Sequence, residues 1–131
     1  MAHKVTPFLM FEGNAEAAMA LYVTIFRGAA VKSLERHGAG ESGEAGKVRL
    51  AMIELAGQEI MCCDSAVRHA FTFTPSTSLF VECEDEQEFD RIFAGLASAG
   101  TTLMPVGDYG FSRKFGWVND RYGVSWQLTL R

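Results

Sequence analysis

The sequence lacks any apolar run that approaches the roughly 20 residues needed to cross a bilayer, so we expect no membrane partner. Its first residues also lack the hydrophobic core and cleavage site of a secretory signal, and we therefore expect a cytoplasmic protein. Cysteine is scarce: three residues, two of them adjacent, do not make a disulfide framework. Basic charge is scarce as well. The net charge is −4, which disfavours nucleic-acid binding, because such binding needs a basic surface to displace counterions from phosphates.

What is present is typical of a globular chain. Hydrophobic residues make up 48% and charged residues 21% of the 131 positions, a length that suits one domain or two small halves sharing a core. The acidic residues are concentrated in Glu82–Glu88, which we interpret as the solvated start of a helix. Ten Phe, three Tyr and two Trp are enough to line an apolar small-molecule site.

The first half of the chain has the pattern strand, helix, three strands. Val5–Phe11 is apolar and aromatic, which favours a buried strand, and Pro7 indicates a bulge or a sheet edge nearby. We expect Asn14 to cap the following helix and Gly28 to end it. A hairpin is predicted at Ala56-Gly57. The three predicted strands are Val31–Arg36, Lys47–Leu55 and Gln58–Cys63.

The same order is then repeated. Ser78–Cys83 has a strand pattern, Asp85 and Glu88 form an acidic version of a capping box, and Gly100 ends the second helix. The three strands predicted after it are Thr102–Pro105, Phe111–Val118 and Val124–Leu130. The pattern therefore predicts an α+β fold, a single domain over 1–131 with βαβββ modules at 4–64 and 76–131. An unrelated mixed α/β fold is the alternative.

Three parts of the chain carry a family resemblance. They are the opening Pro7–Phe11 and Gly13–Ala18, the middle Phe73–Pro75 and Ser78–Val81, and the closing Trp117–Gln127. These segments resemble the PhnB-like branch of the vicinal oxygen chelate superfamily, whose members are often described as 3-demethylubiquinone-9 3-methyltransferase-like. The resemblance implies the glyoxalase/bleomycin resistance/dihydroxybiphenyl dioxygenase-like fold, in which two βαβββ modules form curled mixed sheets around a cleft, and commonly a homodimer. We do not expect methyl transfer, because no glycine-rich turn joins a strand to a helix.

In metal-using members of that superfamily, His, Gln or Glu side chains on the cleft-facing strands hold a divalent ion, which acts as a Lewis acid. The resemblance places Thr6 and Ser78 at the two first-strand ligand positions, with Gln127 on the closing strand and Met61 as its counterpart. Neutral hydroxyls and one amide hold a divalent ion weakly, and the thioether of Met61 is too soft for magnesium or manganese. We therefore expect no divalent metal and no other cofactor.

Other candidate groups are few. His69 is the best general-base candidate, because the pKa of a histidine lies near neutrality, although a hydrogen-bonded surface role is the alternative. Cys62 and Cys63 point to opposite sides of one strand and cannot hold one ion together. Arg113 and Lys114 are candidates for pairing with an anionic group, or else they end a strand in solvent.

The sequence thus favours a metal-free homodimer that binds a small apolar or aromatic molecule in the cleft between the sheets; whether it is an enzyme stays undecided. One alternative is a divalent-metal enzyme of the dioxygenase, isomerase or thiol transferase type. The other is a structural or regulatory dimer with a vestigial pocket. The predicted ligand-binding residues are Thr6, Phe8, Met61, Cys63, Ser78, Phe80, Trp117 and Gln127.

Overall fold

The computed structural model describes residues 1–131, which form two compact units, Met1–His69 and Ala70–Arg131. Each unit contains one helix and one four-stranded mixed sheet, so the predicted α+β class with a duplicated strand–helix–three-strand order is confirmed. The elements are β1 (Phe8–Phe11), α1 (Ala15–Ile25), β2 (Ala30–Arg36), β3 (Val48–Leu55), β4 (Gln58–Asp64), β5 (Leu79–Cys83), α2 (Glu86–Ala97), β6 (Thr101–Gly107), β7 (Phe115–Asn119) and β8 (Ser125–Leu130).

The first sheet has the strand order β1-β4-β3-β2, with β1 parallel to β4 and the other neighbours antiparallel. β1 is therefore an edge strand, as Pro7 indicates, and it begins only after that proline, whose carbonyl accepts a hydrogen bond from Met61 N at 2.9 Å. β3 and β4 are joined at Ala56 and Gly57, whose φ angles of 50° and 84° are both positive. Positive φ at both central residues matches the right-handed twist of the flanking strands, so the tight predicted hairpin forms.

The start of α1 is held differently from the expectation. Asn14 makes no side-chain cap hydrogen bond. Asp64, at the end of β4, instead accepts hydrogen bonds through Oδ1 from Gly13 N at 2.8 Å and Ala15 N at 3.0 Å, and through Oδ2 from Val48 N at 2.9 Å. The prediction that the Asn14 side chain caps the helix was wrong, because a buried carboxylate from a distant strand satisfies the free N–H groups.

The second sheet repeats the arrangement, with the order β5-β8-β7-β6 and β5 parallel to β8. Its helix carries the predicted capping pair: the Asp85 side chain accepts from Glu88 N at 2.8 Å. The return bond runs from Glu84 N to Glu88 Oε1 at 3.1 Å, one residue earlier than in the standard capping box. Two backbone donors at the helix start are thus satisfied locally, which explains why this helix start was readable from the sequence.

The third and fourth strands of the second unit differ from their predicted bounds. β6 continues to Gly107, and β7 begins only at Phe115 rather than Phe111. The intervening loop turns at Gly110, where φ is +91° and the amide donates to Asp108 Oδ1 at 2.8 Å. The predicted strand Phe111–Val118 therefore begins four residues too early, because Phe111 packs against Tyr109 and Phe115 in the loop instead of continuing the strand.

Each helix covers one face of the sheet in its own unit. In the first unit Tyr22 and Met19 of α1 are fully buried, as are Ile53 and Cys62 of the strands beneath. In the second unit α2 packs so closely on β7 that a Cβ added to Gly116 would lie 2.5 Å from the Phe93 ring. Neither helix is long and apolar enough to cross a membrane, and the cytoplasmic location stays a prediction.

Candidate small-molecule site

One face of each sheet is left uncovered by the helix of its unit. Along β8, Trp126, Leu128 and Leu130 are buried on the side of α2. Because side chains alternate along a strand, Gln127 and Thr129 lie on the opposite side, and both are only half-buried. The opposite face of the second sheet is therefore where a ligand can approach without displacing the helix.

Three predicted site residues lie side by side on this face. Gln127 on β8 is in register with Phe80 on β5 and with Trp117 on β7. Phe80 is 59% exposed, while Trp117 and Gln127 are half-buried. The carboxamide of Gln127 is thus flanked by two aromatic side chains on neighbouring strands.

Hydrogen bonds join the polar side chains of this face into a chain. Trp117 Nε1 donates to Ser125 Oγ at 2.8 Å, and Ser125 Oγ lies 2.7 Å from Ser78 Oγ. Gln127 Nε2 in turn donates to Ser78 Oγ at 3.2 Å. The carbonyl oxygen of Gln127 takes part in none of these bonds, so it can accept one from a ligand.

The sequence prediction named Ser78, Phe80, Trp117 and Gln127, which the structure brings together, but it missed Ser125. Ser125 is 2% exposed and is the only one of the five that bonds to both Trp117 and Ser78. The signal was available, because Ser125 lies two residues before Gln127 and therefore faces the same side of β8.

An aromatic cluster adjoins this face. Phe115 of β7 is in register with Thr129, and its ring is 4.9 Å from Phe111 and 5.9 Å from Tyr109, measured between centroids. Phe115 itself is buried, whereas Phe111 is 68% exposed. The loop between β6 and β7 therefore presents exposed aromatic surface beside the second sheet.

The predicted residues of the first unit form a separate group. Phe8 and Met61 are in register on β1 and β4, and Cys63 is two residues beyond Met61 on the same face. Thr6 lies just before β1 and is half-buried, whereas Cys63 is 8% exposed. This group consists of sulfur-bearing and aromatic side chains with a single hydroxyl, and the predicted cleft between the two sheets stays a prediction.

His69 is hydrogen-bonded within the first unit. Its Nε2 lies 2.8 Å from Ser65 Oγ, and its backbone N–H donates to Glu12 Oε2 at 3.2 Å. This geometry fits the hydrogen-bonded alternative considered for this residue, and a role as general base stays a prediction.

The two basic residues considered for an anionic group are paired with α2 instead. Lys114 Nζ lies 2.8 Å from Asp90 and 3.5 Å from Glu86, and the Asp90 hydrogen bond raises the pKa of the lysine. Arg113 lies 3.8 Å from Glu86. Their charges are therefore matched by acidic residues of the helix.

The thiols are poor nucleophiles. Burial raises the pKa of Cys62 to about 12 and that of Cys83 to about 11, and it raises the pKa of Cys63 as well. Because the thiolate is the nucleophilic form, the free thiols are protonated near neutral pH and attack electrophiles poorly.

The donor set does not favour a divalent cation. No group of three or more His, Cys, Asp or Glu side chains is placed to hold a metal ion. Of the four positions implied by the resemblance, Ser78 and Gln127 are bonded to each other through neutral atoms. Such atoms suit a ligand with hydrogen-bonding groups better than a hard cation, and the expectation of no divalent metal stays a prediction.

The fold places the chain in a known structural class. The solved glyoxylase/bleomycin resistance protein/dioxygenase domain from Frankia sp. EAN1pec superposes with a TM-score of 0.61 at 17% identity, covering 99% of this chain and 93% of that one. At this identity the likeness concerns the fold alone. The predicted glyoxalase/bleomycin-resistance fold is thereby confirmed.

The chain belongs to the family described as 3-demethylubiquinone-9 3-methyltransferase, which it matches over residues 3–129. A solved structure described as a putative 3-demethylubiquinone-9 3-methyltransferase, PhnB protein, from Bacillus cereus is 53% identical, with a TM-score of 0.95 over 98% of this chain and 100% of that one. Protein YjdN of Escherichia coli K12 is 24% identical over 139 residues, covering 96% of this chain and 94% of YjdN. The predicted PhnB-like membership is confirmed.

Proposed function

We propose that this PhnB-like protein binds a small, partly aromatic molecule on the uncovered face of its second sheet. The observation that carries the proposal is the hydrogen-bonded chain from Trp117 through Ser125 and Ser78 to Gln127, beside the exposed ring of Phe80. Small-molecule sites typically combine apolar and aromatic walls with a few polar groups that fix orientation. Here the polar groups hold one another in place before any ligand arrives, which lowers the entropic cost of binding.

The charges of this face narrow the ligand class. Glu82 follows Phe80 by two residues on β5, is exposed, and is in register with Thr129. Since a carboxylate repels an anion and Lys114 is paired with α2, the face favours a neutral or cationic aromatic molecule over an anionic one. A hydroxyl or N–H group of the ligand would donate to the carbonyl oxygen of Gln127.

Methyl transfer is not part of the proposal, although it appears in the description of the family. The connection from β1 to α1 contains one glycine, Gly13, and the connection from β5 to α2 contains none. A glycine-rich strand-to-helix turn is therefore missing in both units, and binding requires no such turn.

The experiment is a thermal-shift screen with neutral, cationic and anionic aromatic compounds, followed by calorimetric titration of the hits. A ligand that binds only the folded state raises its stability. We expect Gln127→Ala and Ser125→Ala each to weaken binding about tenfold, which corresponds to about 1.4 kcal/mol. The matched controls are Gln58→Ala, in the first-unit hairpin, and Ser98→Ala, at the exposed end of α2; both should bind as the wild type does.

Two results would overturn the proposal. Affinity unchanged by both site substitutions would place binding elsewhere in the chain. A library without a single stabilising compound would favour a structural or regulatory role.

We also propose that the protein forms a homodimer. The edge strands β2 and β6 carry exposed apolar side chains: Val31 is 44% exposed, Leu103 is 37% and Val106 is 41%. Exposed apolar edge strands invite pairing with other chains unless a partner covers them. Light scattering after size exclusion should give twice the 14.4 kDa mass of the chain; a monomer mass at every micromolar concentration would refute the dimer.

A further inference from the structure

Sulfur is concentrated on one face of the first sheet. Three of the six methionines, Met10, Met52 and Met61, lie there together with Cys63, on the three adjacent strands β1, β4 and β3. Their neighbour Cys62 lies on the opposite, helix-covered side and is fully buried. The face that the helix leaves uncovered therefore collects four of the chain's sulfur-bearing side chains.

The strand register places these side chains next to one another. Met10 is in register with Cys63 across the parallel pair, and Met61 is in register with Met52 across the antiparallel pair. Directly opposite residues of an antiparallel pair have Cβ atoms about 4.5–5.5 Å apart, and neighbouring strands of any sheet lie about 4.8 Å apart. Met61 and Cys63 are separated by two positions on β4, or roughly 6.6 Å. Flexible methionine side chains can bridge these spacings and bring sulfur atoms of three strands to one point.

The methionines of this face are accessible, and the carboxylates beside them are already paired. Met10, Met52 and Met61 are half-buried, so their thioethers are reachable without unfolding. Glu54 and Glu59 lie two positions from the methionines of β3 and β4, on the same strand faces, and are in register with each other. Each is paired with a lysine, so neither supplies a competing hard ligand.

We propose that Met10, Met61 and Cys63, with Met52 beside them, form a binding site for a soft monovalent metal ion, namely Cu(I). Thioether and thiolate sulfur select Cu(I) over hard divalent cations. Binding replaces the thiol proton of Cys63, which is released to solvent, and the copper stays in the +1 state throughout. The site lies in the first unit and shares no residue with the proposed small-molecule face, so either proposal can fail alone.

The test is an anaerobic titration with Cu(I) in competition with a chelator such as bicinchoninate, with stoichiometry from native mass spectrometry. We expect one Cu(I) per chain. The double substitution Met10→Leu/Met61→Leu conserves side-chain volume and retains all three cysteines, and it should weaken binding about 100-fold. Met104→Leu in the second unit is the matched control and should leave the affinity unchanged.

A second measurement reports the ligands directly and checks folding. With methionine methyl groups labelled by carbon-13, Ag(I) used as a diamagnetic substitute should shift the resonances of Met10 and Met61 but not that of Met104. The proposal is overturned if the double variant, with an unchanged circular dichroism spectrum, binds Cu(I) as tightly as the wild type. That result would mean binding by thiols alone. A wild-type chain that takes no Cu(I) from the chelator would overturn it as well.

Discussion

Asp64 offers the most direct test of how the first unit is held together. Its carboxylate is 4% exposed and accepts three backbone N–H groups, from Gly13, Ala15 and Val48, at 2.8–3.0 Å. Asp64→Ala leaves these three donors without their partner, and each buried unsatisfied donor costs roughly 1–3 kcal/mol. Allowing for partial hydration near Gly13, which is only half-buried, we expect a loss of about 4 kcal/mol of unfolding free energy.

Asp64→Asn refines the prediction. The amide retains one acceptor oxygen but turns an NH₂ group toward a backbone donor, so we expect an intermediate loss of about 2 kcal/mol. The control is Asp108→Ala, whose carboxylate accepts a single bond, from Gly110 N in an exposed turn, and should cost below about 1 kcal/mol.

The assay is urea unfolding followed by far-ultraviolet circular dichroism, with tryptophan fluorescence as a second probe. Both tryptophans lie in the second unit, so the two probes reveal whether the first unit unfolds at lower urea concentration than the second. The reasoning is refuted if Asp64→Ala loses no more stability than Asp108→Ala.

Two further predictions concern packing and pH. Gly116→Ala should destabilise the chain by about 1–3 kcal/mol, because the added Cβ would press on the Phe93 ring; urea unfolding at neutral pH measures it, and an unchanged midpoint would contradict the close contact. Burial raises the pKa of Cys62 from 9.0 to about 12. The stability that the neutral thiol contributes is therefore complete below pH 9. It is lost as the pH rises from 9 toward 12, because over that range the unfolded chain releases the proton and the folded chain retains it. Cys62→Ser should therefore flatten the alkaline decline in stability between pH 9 and about 11, and an identical slope would count against a buried thiol.

The duplicated unit separates the helix-facing side chains from those of the proposed binding faces. In both sheets the helix covers one face and leaves the other without helix contact. Buried aspartates stabilise the connections: Asp120 accepts from Val124 N at 3.1 Å and from Trp126 Nε1 at 2.9 Å in the second unit. Because the helices and the buried aspartates stabilise each unit, the residues on the uncovered faces can differ between the two units.

The sequence by itself determined the order of elements and the facing of residues along each strand. The alternation along β8 separates buried Trp126 and Leu128 from Gln127. The Ala56-Gly57 turn is recognisable because Gly57 readily adopts the positive φ that a tight hairpin requires. The capping pair Asp85 and Glu88 is equally local. Such features were predictable because each depends on residues a few positions apart.

Tertiary structure alone decided which residues meet across strands. It brought the Asp64 carboxylate to the amide of Ala15, which is 49 positions away in the sequence. It also brought Ser125 into hydrogen-bonding distance of Ser78, which is 47 positions away. Met10 likewise meets Cys63 only through the parallel pairing of β1 with β4. Local sequence patterns indicate the face on which a side chain lies but not its cross-strand partner, because strand register depends on the packing of the whole sheet.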